Sequence, residues 1–352
     1  MKAADSGIII IENGGEFSMG RRTSLFIRSV SHLFVDALCA AILYSSGAGF
    51  LEISVYDTLA FSTQCVTGMI ADRYRTRLNI IAAASCALIA GSFFAPAGIM
   101  VRAAAAGIGN SFFHTSAGAA VIRGSKGKAS PLGAFVAPGA IGLTLGTVFP
   151  AMGPVFAAGI LICAVLMMFL RDPEESVSTE EVPSKDPGDT AVMLLLFAAV
   201  AVRAFAGSAV EFEWKSGAAG ALIMTAAVFA GKFAGGFIAD RTDLRIMSAV
   251  SVTAASLLTA FGHSNAVLSL AGQFLINLTM PVTLWLMCLA APEEPGFAFG
   301  LAAAALWPGV LAGILVSLTG PWRALCVIVC FACGTAAILY SVRKLKDGGK
   351  MK

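Results

Sequence analysis

Charge is scarce in this sequence. Of 352 residues, 13% are Asp, Glu, Lys or Arg and 57% are hydrophobic, about half the charge of an ordinary soluble domain. A water-facing surface cannot be built from such a composition, whereas helices that face lipid require it. No basic cluster with interleaved aromatic residues is present, which argues against a nucleic-acid partner. No Gly-x-x-x-x-Gly-Lys-Ser/Thr loop occurs, so nothing points to ATP. Nor is there a His-x-x-x-His pair or a pair of carboxylates near one interface, as an intramembrane enzyme would need. The expectation is of no enzyme, no cofactor and no metal. The eight cysteines, Cys39, Cys65, Cys86, Cys163, Cys288, Cys326, Cys330 and Cys333, lie inside apolar runs and read as small packing residues. Cys330 and Cys333 have the spacing of a redox or metal pair but no His or acidic companion.

What is abundant is long apolar stretches. A bilayer core takes about 20 mostly apolar residues per helix, and polar turns cut the chain into twelve such pieces: 24–45, 50–71, 78–96, 98–122, 131–149, 152–170, 190–210, 217–239, 244–262, 265–290, 297–318 and 322–342. The expected fold is all-α, twelve transmembrane helices in two pseudo-symmetric six-helix bundles. The division predicted is an N-terminal tail 1–20, a first half 21–170, a polar cytoplasmic linker 171–189, a second half 190–343 and a tail 344–352. The apolar patch Ile8 to Ile11 is too short for a span or a signal-peptide core. Back-translation of Asn13-Gly14-Gly15-Glu16 allows a ribosome-binding sequence before Met19, which predicts that translation begins there.

Lys and Arg favour the cytoplasmic side of a membrane. With both termini inside, 19 of the 24 basic residues fall on inside segments, Lys215 and Arg323 fall outside, and Arg102, Arg203 and Lys232 lie within spans. The expected location is therefore the bacterial inner membrane, with both termini cytoplasmic. The two halves repeat each other. After the second span stands Gly68-Met-Ile-Ala-Asp72-Arg73-Tyr-Arg75-Thr-Arg77, and after the eighth Gly236-Phe-Ile-Ala-Asp240-Arg241, with the two Asp 168 positions apart. Glycine permits close helix approach, while Asp and Arg can tie neighbouring helix ends together.

These turns resemble the Gly-x-x-x-Asp-Arg-x-Gly-Arg-Arg/Lys loop of the major facilitator superfamily. Gly68, Asp72, Arg73 and Arg77 match it; Arg75 and Thr76 replace the usual Gly and Arg. Gly107-Ile-Gly109-Asn110-Ser-Phe-Phe113-His114 is similar to the Gly-x-Gly-x-x-x-Phe-His-Pro of the fosmidomycin resistance exporters, with Thr115 in place of Pro. Phe135-Val-Ala-Pro-Gly139-Ala-Ile-Gly142-Leu-Thr-Leu-Gly146 and Ser31-His32-Leu-Phe34-Val-Asp36 resemble the same group. The resemblance implies a secondary transporter whose spans one, four, seven and ten line a central cavity, with Gly68, Asp72, Arg73, Arg77, Gly236, Asp240 and Arg241 in conformational switch loops.

Ionisable and polar groups inside a membrane are costly and face the bundle interior or water. The candidates for a substrate or proton cavity are His32, Asp36, Asp57, Gln64, Asn110, His114, Arg203, Gln273 and Asn277, with Arg102 and Lys232 as further charges in spans. His32 and Asp36 are four apart and share a helix face. Asp36 and Arg203 are 167 positions apart, as are Asn110 and Asn277, so each pair occupies equivalent depths in repeated helices. Asp36 and Arg203 are thus expected to pair across the cavity. Gly139, Gly142 and Gly146 read as close packing or a bend, Pro281 and Pro308-Gly309 as flex points, and Glu211 and Glu213 as a solvated outer rim. The function expected is proton-coupled transport of a small organic molecule by a monomer that uses the proton gradient, and the resemblance implies efflux. The alternatives are proton-coupled uptake of a sugar, organic anion or metabolite, and a non-transporting membrane receptor.

Overall fold

The computed structural model describes residues 9–11, 17–170, 187–316, 318 and 320–351. Most of the predicted linker lies outside the described residues. Helices account for nearly everything else: α1 (Arg21–Ser45), α2 (Phe50–Asp57), α3 (Gln64–Arg73), α4 (Leu78–Phe94), α5 (Ile99–Gly124), α6 (Ser130–Val148), α7 (Gly153–Met168), α8 (Pro187–Ser208), α9 (Gly217–Ala239), α10 (Leu244–Phe261), α11 (Ala266–Asn277), α12 (Thr279–Ala290), α13 (Pro295–Ala304), α14 (Leu306–Leu315) and α15 (Gly320–Asp347). Two short antiparallel strands precede them, β1 (Ile9–Ile11) and β2 (Phe17–Met19), with Ile9 opposite Met19.

Ten of the helical stretches among the described residues are long and apolar enough to cross a membrane. The chain is thus an all-α, multi-spanning membrane protein. Two of the twelve predicted pieces fall short of that standard for different reasons. α5 is long enough but carries Asn110, Ser111, His114, Thr115 and Ser116 on its buried side. The 50–71 piece is broken by a π turn, Thr58–Ser62, that separates α2 from α3. There Thr58 Oγ1 donates to the Ser54 carbonyl at 2.7 Å and Thr63 Oγ1 to the Leu59 carbonyl at 2.5 Å, a competition for backbone acceptors that loosens the regular ladder.

Proline accounts for two other breaks. Pro281 cannot donate to residue 277, and the helix divides at Leu278; Pro308 cannot donate to residue 304, and the helix divides at Ala305. The last helix runs on to Asp347, beyond the apolar stretch, because Arg343 and Asp347 stand four apart with Nε and Oδ2 3.7 Å from each other. Asp243 caps α10 by accepting from the Arg245 N–H, and the Arg245 side chain and backbone together hold its carboxyl well below the usual range.

α1 packs most extensively on α6, through the glycines singled out above. A Cβ on Gly142 would strike the Leu33 carbonyl and one on Gly146 the Ala37 carbonyl. The same device recurs 167 positions on: Gly309 of α14 lies on the Ala201 carbonyl of α8, and Gly313 on that of Phe205. Small residues let these backbones meet where lipid supplies no hydrophobic drive for association.

Candidate functional site: a buried polar cluster between two aspartate latches

Four of the predicted cavity residues come together. At mid-length of α1, His32 Nε2 stands 3.3 Å from Asp36 Oδ2. From α5, His114 Nε2 is 3.6 Å from Asp36 Oδ1, and Asn110 Nδ2 donates to that same oxygen at 3.2 Å. The two imidazoles meet edge to face with their Nε2 atoms 2.8 Å apart. Each ring is aimed by its other nitrogen: His32 Nδ1 donates to the Phe135 carbonyl at 2.8 Å, and His114 Nδ1 to the Asn110 carbonyl at 2.9 Å. Tyr56 Oη accepts from Asn110 at 3.1 Å and extends the network to α2. Both histidines and Asn110 are buried.

The walls of this cluster are apolar. Phe113, Phe135 and, from α13, Phe299 surround the imidazoles, with Phe299 5.9 Å from Phe135 between ring centroids. Gly139 closes the remaining side, because a Cβ there would stand 2.5 Å from Asp36 Oδ2 and closer still to His32. Its glycine is therefore a requirement of the cluster as well as of helix packing. From α9, Lys232 brings a cation within electrostatic reach of Asp36 and His114. His32, Asp36 and His114 are the one group of three His, Cys, Asp or Glu side chains among the described residues with donor atoms close enough to hold a metal ion. All eight cysteines are free, and Cys330 and Cys333 gather no third ligand.

The remaining candidates lie elsewhere. Arg203 does not pair with Asp36: its guanidinium donates to Thr279 Oγ1 at 3.2 Å and contacts Met280 Sδ at 3.3 Å. Equivalent depth in a repeat fixes height along the spans, not direction, and Asp36 is already held by its own helix and α5. Asn277 differs in the same way from Asn110, since it donates back to the Gln273 carbonyl of its own helix at 2.8 Å. Gln273 shows no side-chain partner among the described residues. Gln64 is fully buried against Gly300, with Nε2 on the Ala60 carbonyl. Asp57 is half-buried at the start of the π turn and accepts no hydrogen bond from the described residues. Arg102 is a clamp, binding the Ser92 and Phe93 carbonyls and Ser46 Oγ, each at 3.0 Å. At that end of the molecule Glu213 belongs to a tied group rather than a merely solvated rim, with His263 between it and Arg323.

At the opposite, charged end stand two latches. Asp72 accepts from the backbone N–H groups of Gly296 and Phe297, both at 2.8 Å, at the start of α13. Asp240 accepts from those of Ala129 and Ser130, at 2.7 and 3.2 Å, at the start of α6. A carboxylate there satisfies N–H groups that have no partner within the helix and lies at the positive end of its dipole. Gly68 and Gly236 allow the approach, meeting the Gly296 and Ala129 carbonyls respectively. Of the predicted arginines, Arg73 and Arg77 are exposed, and Arg241 donates to the Phe237 carbonyl of its own helix. Arg123, which the motif did not mark, is the one that faces Asp72, at 3.8 Å. Trp285 Nε1 adds a bond to the Gly127 carbonyl at 3.1 Å. A cavity of about 700 Å³ opens beside the Asp240 latch, lined by Lys128, Arg241 and Lys346 among others, and is separate from the polar cluster.

Comparison with known proteins places the fold. The E. coli fucose:proton symporter FucP matches with a TM-score of 0.68 at 14% identity, over 90% of this chain and 98% of that one. A second structure, of the major facilitator superfamily transporter FucP in the outward conformation, matches with a TM-score of 0.63 at 13% identity over the same shares. The chain has the major facilitator fold. No family model and no curated protein matches the sequence. The expectation of efflux is overturned, because the matched transporter is named a symporter, and the uptake alternative fits it better. The matches do not single out the fosmidomycin resistance exporters.

Proposed function

We propose that this protein is a proton-coupled importer of a small polar molecule, a sugar, organic anion or related metabolite, working by alternating access. In this reading all twelve predicted pieces cross the inner membrane, α2 with α3 and α5 included, as two six-helix halves with both termini and the Asp72 and Asp240 turns in the cytoplasm. The observation that carries it is the buried cluster of His32, Asp36, Asn110 and His114, faced by Lys232 from the other half. Polar groups at mid-span are retained against a cost of about 2.5–3.5 kcal/mol for a charge. Their position, between halves that are joined at one end by breakable hydrogen bonds, is where transporters built from repeats hold their substrates.

Substrate recognition falls to the cluster and Lys232, which offer donors and acceptors of both charges. The coupling proton is assigned to Asp57, whose carboxyl has no partner to surrender when it gains or loses a proton. It adjoins Tyr56, which leads through Asn110 to Asp36. In proteoliposomes given an acidic exterior, sugars and small organic acids first selected by thermal stabilisation should be accumulated, with alkalinisation outside. Asp57→Asn should lose accumulation but keep exchange of labelled for unlabelled substrate. Substrate movement without any proton movement would reject the coupling, and full accumulation by Asp57→Asn would reject this carrier.

A further inference from the structure

The proton positions at the cluster leave a gap that a cation would fill. A carbonyl oxygen only accepts, so His32 Nδ1 and His114 Nδ1 must both carry hydrogens for the bonds to Phe135 and Asn110. In its neutral form each ring then presents a lone pair at Nε2, and the two Nε2 atoms face each other across 2.8 Å. Asp36 adds carboxylate oxygens at 3.3 and 3.6 Å. Three electron-pair donors thus converge on one point.

We infer that His32 Nε2, His114 Nε2 and Asp36 form a binding site for a divalent transition-metal ion. Ligands about 2.0–2.2 Å from one tetrahedral zinc ion stand roughly 3.3–3.6 Å apart; the two His–Asp separations, 3.3 and 3.6 Å, match this, and the Nε2 atoms, 2.8 Å apart, need only part by about half an ångström. Imidazole nitrogen with a single carboxylate suits zinc, iron, cobalt or nickel rather than calcium or magnesium. The surroundings also fit. Metal-binding histidines almost always donate their second N–H to a carbonyl or carboxylate, which orients the ring and strengthens it as a donor, and both histidines do so here. Asn110 Nδ2 likewise fixes Asp36, while Asn110 Oδ1, fully buried, has no partner. Three protein ligands leave coordination positions open. Lys232 of α9 lies within electrostatic reach of Asp36 and His114, and when charged it favours an anionic group at those positions over another cation.

This inference rests on the transport reading only for its meaning: the metal would be part of the cargo, held with an anionic companion. The binding itself is tested without transport. Purified full-length protein, carrying an affinity tag without histidine, is titrated with Co²⁺ in detergent and followed by visible absorption and by calorimetry. One ion per chain is expected, with binding weakened more than about a hundredfold in His32→Gln/His114→Gln. That variant keeps side chains of similar size and hydrogen-bonding capacity, and its melting temperature is checked alongside. Asp36→Asn should weaken binding while leaving one site. No Co²⁺ bound by the folded wild-type protein, or unchanged binding in the double variant, would overturn the site. Proton-coupled uptake of a metal-free substrate together with absent Co²⁺ binding would leave the importer standing and remove the metal. Metal binding without any transport would do the reverse.

Discussion

Asp72 and Asp240, one at the end of α3 and one just beyond α9, each accept two consecutive backbone N–H groups from the start of a helix on the other side of the molecule. They are the same residue of a repeated motif, and they make the same bond in opposite directions along the chain. A hydrogen bond to a charged acceptor contributes about 1.5–3 kcal/mol, so two latches can decide which end of the protein is closed without locking it.

Asp72→Asn and Asp240→Asn should each cut initial uptake rates several-fold while leaving membrane insertion intact, and the double variant should be worse than either. Each removes the charge that favours the closed cytoplasmic end. Labelling of a cysteine placed at Ser130 by a membrane-impermeant thiol reagent in inverted vesicles should rise in Asp240→Asn. Unaltered labelling with normal uptake would reduce the motif to a signal for topology.

The polar cluster predicts where coupling between residues will and will not be found. In double-mutant cycles on thermal stability, Asp36→Asn with His114→Gln should be non-additive by about 0.5–3 kcal/mol, as for residues in one hydrogen-bond network. Asp36→Asn with Arg203→Gln should be additive within a few tenths. The reverse outcome would restore the cross-cavity ion pair that the structure does not contain.

Two glycines should separate packing from function. Gly139→Ala forces a methyl group against the His32 and Asp36 side chains and Gly309→Ala one against the Ala201 carbonyl, and overpacking costs about 1–3 kcal/mol. Both should lower the melting temperature by several degrees. Gly139→Ala should also abolish uptake, because its Cβ meets His32 and Asp36, whereas Gly309→Ala should retain a substantial fraction. Equal loss of uptake in both would mean that the α1–α6 contact matters only for stability.

For topology, a phosphatase active only in the periplasm and fused after Lys352 should be silent, and a fusion after Lys215 should be active. Activity at the C-terminus would invert the proposed orientation.

Ten of the twelve predicted spans were legible because lipid demands a length of apolar residues that sequence states directly. Legible too were His32 with Asp36, since four residues on a helix face are neighbours, and the repeated Asp72 and Asp240. Their partners were not, because backbone N–H groups at residues 129, 130, 296 and 297 carry no side-chain signature. His114 and Asn110 could be named as candidates from α5 alone, but only tertiary packing brings them to Asp36. Gly139 looked like any packing glycine. Arg203 misled because symmetry preserves depth and not azimuth. The π turn left only a faint trace, a Thr58 and a Thr63 in an otherwise apolar run.

That turn gives the 50–71 stretch a property unmatched among the other described helices. A regular helix transmits rotation rigidly from one end to the other, but a π turn holds one surplus residue, a dislocation in the hydrogen-bond lattice. Moving a dislocation by one position re-forms as many bonds as it breaks, and it rotates by up to about 100° only the residue it passes. Asp57 stands on one side of Thr58–Ser62, and Gln64, Gly68 and Asp72 stand on the other. The Asp57 carboxylate and the carboxylate that latches α13 are therefore separated by a slip plane between α2 and α3. A shift of that plane by one residue would re-aim Asp57 or Gln64 while leaving Asp72 on its latch.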